Sequence, residues 1–281
     1  MVDEDRTPFD VVVLGEVLLE VSTEEPVGDG VPARLGISGD ALNVAAAAAA
    51  AGARTALLSV IGTDELGDAI AARIAELGVS TELLVRAPGR QGLYFVHSDP
   101  AGEREFTYLR SESVGSTLAP EHVDASVFAN AGAVIASGIT CAISESARAA
   151  VVRAATTATR FVFDPNHRPR LTTPAATVAL LTELAPHTAL MTPSFPSETQ
   201  LLGADSALEA GELLRALGVD EVAVTCGSRG VQIVGEEQRF VESVPAPAVV
   251  DQTGAGDSFV GSTVARIVAG ESLADAVSFG V

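Results

Sequence analysis

The run Asp251-Gln252-Thr253-Gly254-Ala255-Gly256-Asp257-Ser258-Phe259 places a carboxylate directly behind two glycines, and Thr263, Val264, Ile267 and Val268 follow at helical spacing. Gly254 and Gly256 admit backbone conformations closed to other residues, so successive N–H groups can point into one cavity. The apolar spacing predicts that Asp257 lies in the opening turn of a helix, and such a nest at a helix N-terminus is an anion hole. A carboxylate held there can also accept the proton of an attacking hydroxyl, while the N–H groups hold the charge gathering on phosphoryl oxygens. Taken alone, a Gly-x-Gly before an aspartate is equally a capped helix start.

The charged residues narrow the chemistry further. In 281 residues, 37 acids face 17 bases, every base is arginine, and the formal net charge is −20. Without lysine there is no Walker A lysine, no Schiff-base aldolase and no PLP attachment. So acidic a surface argues against a nucleic-acid backbone as partner. A GC-rich genome and adaptation to high salt both account for this composition. Cys141 and Cys226 lie far apart with no metal or redox spacing, which points to a reducing, cytoplasmic setting. The longest apolar tract, Val44 to Ala51, is far short of the ~20 residues of a spanning helix, and the acidic N-terminus is unlike an export signal, so no membrane partner is expected.

The elements that must position this chemistry alternate. Aliphatic runs at Asp10–Leu14, Thr55–Val60, Ala133–Ala136, Arg160–Asp164, Ala189–Thr192 and Glu221–Thr225 are separated by alanine-rich helical stretches. That repetition predicts a largely parallel sheet covered on both faces. Across 64–77, Leu66, Ile70, Ile74 and Leu77 share a helical face, with Thr63 placed to cap the start and Gly78 to end it. One region breaks the rhythm: Gly92–His97 and Arg104–Arg110 alternate in character around the turn signal Asp99-Pro100-Ala101-Gly102. In that hairpin Phe106, Tyr108 and Arg110 share one side, as do Tyr94 and Val96 on the partner strand. Two roles fit it: packing, or a lid whose tyrosines and arginine touch a ligand. A helix begun over 271–281, with Leu273, Ala274, Val277 and Val281 on one face, leaves open whether a further helix and strand follow.

The run ending in Asp257 resembles the C-terminal signature of the ribokinase-like (PfkB-type) carbohydrate kinases, and the similarity extends over nearly the whole chain. Ser38-Gly39-Asp40 with Asn43 resembles the family motif that holds sugar hydroxyls, with serine in place of its first glycine. Gly227-Ser228-Arg229-Gly230 resembles the nucleotide-side glycine motif; the usual lysine is absent and Thr225 stands near its place. Gly92-Leu93-Tyr94-Phe95, Phe106-Thr107-Tyr108-Leu109-Arg110, Ser137-Gly138-Ile139 and Phe163-Asp164-Pro165-Asn166-His167-Arg168 resemble in particular the 2-keto-3-deoxygluconate kinases.

The resemblance implies a three-layer α/β fold in one kinase domain over 1–281, with a mostly parallel sheet, helices on both faces and a small β-sheet lid from about 16–38 and 91–112. It implies ATP and Mg²⁺, with Asp257 as base and Gly254, Ala255 and Gly256 as the anion hole. Gly39, Asp40, Asn43, Tyr94, Tyr108, Arg110 and Arg168 would surround a sugar or sugar acid. The arginines would meet its carboxylate, since an arginine fork matches a carboxylate bidentately; plain surface salt bridges are the alternative for both. Asn166, Ser194, Thr225, Gly227 and Gly230, with Gly254 and Gly256, would contact the nucleotide. Glu198, in a stretch resembling the family's Asn-x-x-Glu motif but one residue late, would reach the metal through water or serve only as a helix-start glutamate. A homo-oligomer formed through the lid is expected, because an open aromatic hairpin edge invites pairing.

Two rivals are discriminated by their predictions. A kinase for a neutral sugar such as ribose or fructose shares the core motifs, and a non-catalytic sugar-binding module would keep the fold and lose turnover. A Rossmann dehydrogenase is excluded, because no Gly-x-Gly-x-x-Gly follows the strand at Val11–Leu14.

Overall fold

Buried parallel strands read as continuous aliphatic runs because both faces are covered, and the chain pairs those runs as expected. The computed structural model describes residues 9–98, 104–245 and 253–281. Its strands are β1 (Val11–Leu14), β2 (Leu18–Thr23), β3 (Arg34–Ser38), β4 (Thr55–Gly62), β5 (Leu84–Ala87), β6 (Leu93–Ser98), β7 (Arg104–Leu109), β8 (Ala133–Ser137), β9 (Phe161–Asp164), β10 (Leu190–Met191), β11 (Glu221–Thr225), β12 (Gly230–Val234) and β13 (Gln238–Glu242). Its helices are α1 (Asp40–Ala50), α2 (Glu65–Glu76), α3 (Ala125–Asn130), α4 (Gly138–Ile143), α5 (Glu145–Thr157), α6 (Pro174–Leu184), α7 (Ala207–Ala216), α8 (Ala255–Val268) and α9 (Leu273–Gly280).

The large sheet runs β13-β12-β11-β10-β9-β8-β1-β4-β5, parallel except for the last two strands in sequence. Alternation along each strand sorts the core into two layers. Val11, Val13, Leu57 and Ile135 face α1, α2, α8 and α9 through Leu42, Ile70, Val264 and Val277. Val12, Leu14, Leu58 and Phe163 face α3, α5, α6 and α7 through Phe128, Val151, Leu181 and Leu214. Truncating a fully buried leucine such as Leu42 to alanine would cost about 2–5 kcal/mol.

The alanine tract of α1 has a packing reason. A Cβ at Gly261 of α8 would fall on the Val44 carbonyl and 2.9 Å from Ala47 Cβ, so these two helices touch through their smallest residues. That close approach brings the N-terminal ends of α1 and α8 to one place.

In α2, Asp64 rather than Thr63 caps the helix, its carboxylate accepting from Gly67 N at 3.0 Å. Leu66 is exposed, whereas Ile70 and Ile74 are buried. The inward residue of the first turn is Gly67, pressed against the Gly62 carbonyl, and this turns Leu66 to the edge. At the other end of the chain, Val277 of α9 is buried and Leu273, Ala274 and Val281 pack beside it.

The small sheet runs β3-β2-β6-β7, with β2 and β6 parallel and the outer pairs antiparallel. Its register sets Tyr94 opposite Tyr108 and Val96 opposite Phe106. Leu18, Tyr94, Val96 and Phe106 form a separate small core on one face. The turn signal at 99–102 lies outside the described residues. Among the described residues no helix is long and apolar enough to cross a membrane.

Candidate active site

Gly254 adopts φ +76°, the left-handed conformation open mainly to glycine, and turns the chain into α8. The first helical bond runs from Ser258 N to Gly254 O at 2.8 Å, so the N–H groups of Ala255, Gly256 and Asp257 precede the intrahelical ladder. Gly256 is helical with no positive φ, so its glycine does not serve an unusual backbone conformation. A Cβ there would meet nothing within 4 Å; the position is bare space at the mouth of the helix. Asp251 and Gln252 lie outside the described residues.

Asp257 accepts a 2.8 Å hydrogen bond from Asn43 Nδ2. Burial pushes its carboxyl up to about 6; Asn43 and Arg168 oppose the rise and Asp40 adds to it. At neutral pH the group is largely ionised yet basic enough to take a proton.

Gly39 carries the turn into α1 at φ +142°, where a Cβ would come 2.7 Å from the Glu16 carbonyl. Ser38 ends β3 without a positive φ, so serine fits where the family has glycine. Asp40 opens α1 and accepts from the Ser137 hydroxyl at the start of α4.

These groups line a cleft of about 1120 Å³ between the large and small sheets. Of the residues expected at the site, Gly39, Asp40, Asn43, Tyr94, Tyr108, Arg110, Asn166, Arg168, Ser194, Glu198, Thr225, Gly254, Ala255, Gly256 and Asp257 all face it. The rings of Tyr94 and Tyr108 meet at a tilt of 39° with centroids 5.5 Å apart, and the Tyr94 hydroxyl donates to Glu20. Burial, then Glu20, holds that phenol well above its ordinary range.

The arginines behave differently from one another. Arg168 donates to the His167 carbonyl at 3.3 Å and has its guanidinium exposed beside the cleft. Arg110 is nearly buried and paired with Glu16 at 2.5 Å. Arg170, absent from the sequence expectations, also lines the cleft and donates to the Phe106 carbonyl of β7 at 3.0 Å.

Beyond Asp257, Asn166 is buried at φ +38°, its N–H donating to Asp164 Oδ1 at 3.2 Å. Asp164 is held well above the usual carboxylate range by burial, then by Glu198, Asp257 and Asp40. Glu198 is buried and accepts from His167 N at 2.6 Å and Ser194 N at 2.8 Å, so it ties two loops of the cleft floor together. It stands at the start of a short 3₁₀ helix, Thr199–Leu202. Among the described residues no group of three or more His, Cys, Asp or Glu side chains is set to hold a metal ion.

Gly227 and Gly230 stand apart from the cleft wall. Gly230, at φ +125°, abuts the Val241 carbonyl, so a glycine is needed there for β12 to meet β13. The same Gly-x-x-Gly spelling serves strand packing as readily as a ligand. Asp164, Glu16 and Arg170 escaped the sequence reading; only Asp164 and Arg170 had a signal, as neighbours of Asn166 and Arg168.

The pfkB family carbohydrate kinase model matches residues 9–281. A 2-dehydro-3-deoxygluconokinase from Thermoproteus tenax is 34% identical over 268 residues, 92% of this chain and 82% of that protein. The crystal structure of a PfkB protein from Polaromonas sp. JS666 superposes with a TM-score of 0.89 at 24% identity, covering 97% of this chain and 93% of that one. A putative ribokinase II from E. coli, solved in complex with ATP and Mg²⁺, superposes with a TM-score of 0.84 at 26% identity, covering 95% and 89%. A carboxylate at a helix mouth, facing a cleft under a small sheet, is thus set in a shared frame: the chain belongs to the pfkB family of carbohydrate kinases and is a sugar kinase with the ribokinase-like fold.

Proposed function

We propose that the chain transfers the γ-phosphoryl group of ATP to 2-keto-3-deoxygluconate (2-dehydro-3-deoxygluconate), giving the 6-phosphate. The observation that carries this reading is that Asp257 and the arginines Arg110, Arg168 and Arg170 line one cleft, which pairs a base with a carboxylate-binding end. Asp257 takes the proton of the attacking hydroxyl, oriented by Asn43. Gly39, Asp40 and Asn43 hold sugar hydroxyls, Tyr94 and Tyr108 wall the ring, and Arg168 with Arg110 meets the acid group.

The nucleotide side fits ATP in one respect above all. The unladdered N–H groups of Ala255, Gly256 and Asp257, with open space over Gly256, suit a phosphoryl group. Asn166, Ser194 and Thr225, which line the same cleft, would contact the nucleotide, and Gly227 and Gly230, which do not line it, would meet only a part of the nucleotide that extends beyond it. A divalent cation brought with the nucleotide would neutralise charge on the transferred group. The side chains fit one held mainly by phosphate and water, with Glu198 as a water-mediated contact, since both its oxygens already accept N–H bonds. The small sheet acts as a lid that excludes water, whose attack would otherwise hydrolyse ATP.

A neutral-sugar kinase is the second reading, and one observation favours it: the charge of Arg110 is already offset by Glu16. A coupled ADP-release assay on 2-keto-3-deoxygluconate, ribose and fructose separates the two. The acid-sugar reading requires the highest kcat/KM on 2-keto-3-deoxygluconate and a loss of at least tenfold on that substrate alone in Arg168→Ala. Equal losses on all three sugars would overturn it.

A further inference from the structure

The loop after β1 buries a carboxylate that the proposed reaction does not use. Glu16 is 2% exposed and does not line the cleft. Its Oε1 accepts from the Ser113 hydroxyl, and its Oε2 forms an ion pair with an Arg110 terminal nitrogen at 2.5 Å. The room for it is made by glycines: a Cβ at Gly115 would collide with the Glu16 side chain, and one at Gly92 would stand 2.7 Å from Oε1. Glu16 belongs to the end of the large sheet, whereas Arg110 and Ser113 follow the small-sheet hairpin.

A buried ion pair is seldom more stabilising than an apolar pair of the same shape, so stability alone does not explain this one. The far side of the guanidinium does. Arg110 lines the cleft beside Tyr108, whose ring centroid lies 5.9 Å from its Cζ, and its Nε is buried with no hydrogen-bond partner. A guanidinium has five N–H donors, and a partner at one end leaves the rest of the fork to a ligand.

We infer that Glu16 is a positioning residue for sugar-acid selectivity: it fixes the Arg110 guanidinium at the cleft wall so that its free N–H groups meet the substrate carboxylate. This rests on the acid-sugar reading above. Because Glu16 offsets the charge of Arg110, discrimination comes from the placement of the N–H groups rather than from net positive charge. An arginine released from Glu16 keeps its charge and loses its direction.

The chain has two tyrosines and no tryptophan, and both tyrosines line the cleft, so tyrosine emission reads ligand binding there directly. The test titrates 2-keto-3-deoxygluconate and fructose into wild type, Glu16→Gln, Arg110→Ala and the double variant, with steady-state kinetics alongside. The expected result for Glu16→Gln is a rise of about tenfold or more in Kd and KM for the acid sugar, against a change of under threefold in kcat. In the Arg110→Ala background the same substitution should add less than twofold. Ser113→Ala, which removes one contact to Glu16 and keeps the charge, should move acid-sugar KM about two- to fivefold in the same direction, and it serves if Glu16→Gln does not fold. Equal losses for both sugars, or additive losses in the double variant, would overturn the proposal. Wild type with no preference for the acid sugar overturns the substrate reading and this proposal together. A wild-type preference that survives intact in Glu16→Gln and Ser113→Ala overturns the proposal alone.

Discussion

Asn43 Nδ2 lies 2.8 Å from Asp257 Oδ2, a hydrogen bond between residues 214 positions apart, made because α1 and α8 approach through Gly261 and alanines. Asp257 itself lines the cleft. Asp257→Asn keeps the shape and removes the base. We expect kcat to fall by about 10²–10⁴ with ATP and sugar binding retained, measured by single-turnover phosphoryl transfer and equilibrium titration.

The carboxyl of Asp257 titrates at about 6, because burial outweighs the help of Asn43 and Arg168. The base works only when ionised, so kcat/KM should fall as pH drops through about 6, approaching tenfold per unit below it. Asn43 holds the value down, so Asn43→Ala should move this limb to higher pH. Stability follows the opposite sign. The native carboxyl binds its proton more tightly than the unfolded one, so a penalty builds as pH rises from about 4 to 6 and stays constant above. Asp257→Asn should therefore be more stable than wild type at pH 8, by about 1–2 kcal/mol after allowance for partial exposure, and equal to it near pH 4. Thermal melts at the two pH values check the difference.

Gly254→Ala tests the turn rather than the base. At φ +76° an alanine pays roughly 1–2 kcal/mol in strain. Its Cβ would sit 3.3 Å from Asn43 Nδ2 and 3.7 Å from Asp257 Oδ2, crowding the contact that orients the carboxylate. Activity should fall at least tenfold, whereas Gly256→Ala, whose Cβ meets open space, should fold normally and weaken nucleotide binding more than sugar binding. Urea unfolding with separate ATP and sugar KM values distinguishes the two.

How legible this was depended on range. Glu221–Thr225 reads to the residue because a strand buried on both faces has no polar interruption, and Asp257 is legible because a glycine turn and a helix start are local. The α2 cap was missed because Thr63 and Asp64 are both competent cap residues and only the path of the chain from β4 chooses between them. Gly230 can be read two ways, because close strand approach and ligand approach require the same residue. Glu16, and the bond that Arg170 makes, were invisible for a different reason: their partners, Ser113 and the Phe106 carbonyl, lie 97 and 64 residues away, and no spacing in the sequence encodes such meetings.

Arg170 ties the cleft floor to the hairpin through the Phe106 carbonyl at 3.0 Å. One exposed bond of this kind is worth about 0.5–1.5 kcal/mol, too little to set global stability and enough to bias how the small sheet sits. Arg170→Ala should leave the melting temperature within about 2 °C of wild type. Hydrogen exchange should quicken in residues 93–98 and 104–109 alone, and sugar KM should rise about two- to fivefold. Unchanged exchange in the hairpin would show that Arg170 does not restrain it.

The face of the small sheet opposite Tyr94 and Tyr108 carries an apolar cluster beside Thr23, His97 and Thr107. The register places Leu19, Val21, Leu35, Ile37, Leu93, Phe95 and Leu109 on it, and Leu35 and Leu109 are 78% and 57% exposed. Clusters of this kind mark association surfaces, and a net charge of −20 would keep copies apart unless apolar contact outweighed it. Pairing of two copies through this face would bury both leucines and brace the lid from behind. Sedimentation velocity should find a dimer in wild type and a monomer in Leu35→Glu and Leu109→Glu. Because Tyr94 and Tyr108 lie on the opposite face, the monomeric variants should lose sugar affinity only as far as the lid loses its brace, and raising salt, which screens the acidic surface, should strengthen the wild-type dimer without rescuing them.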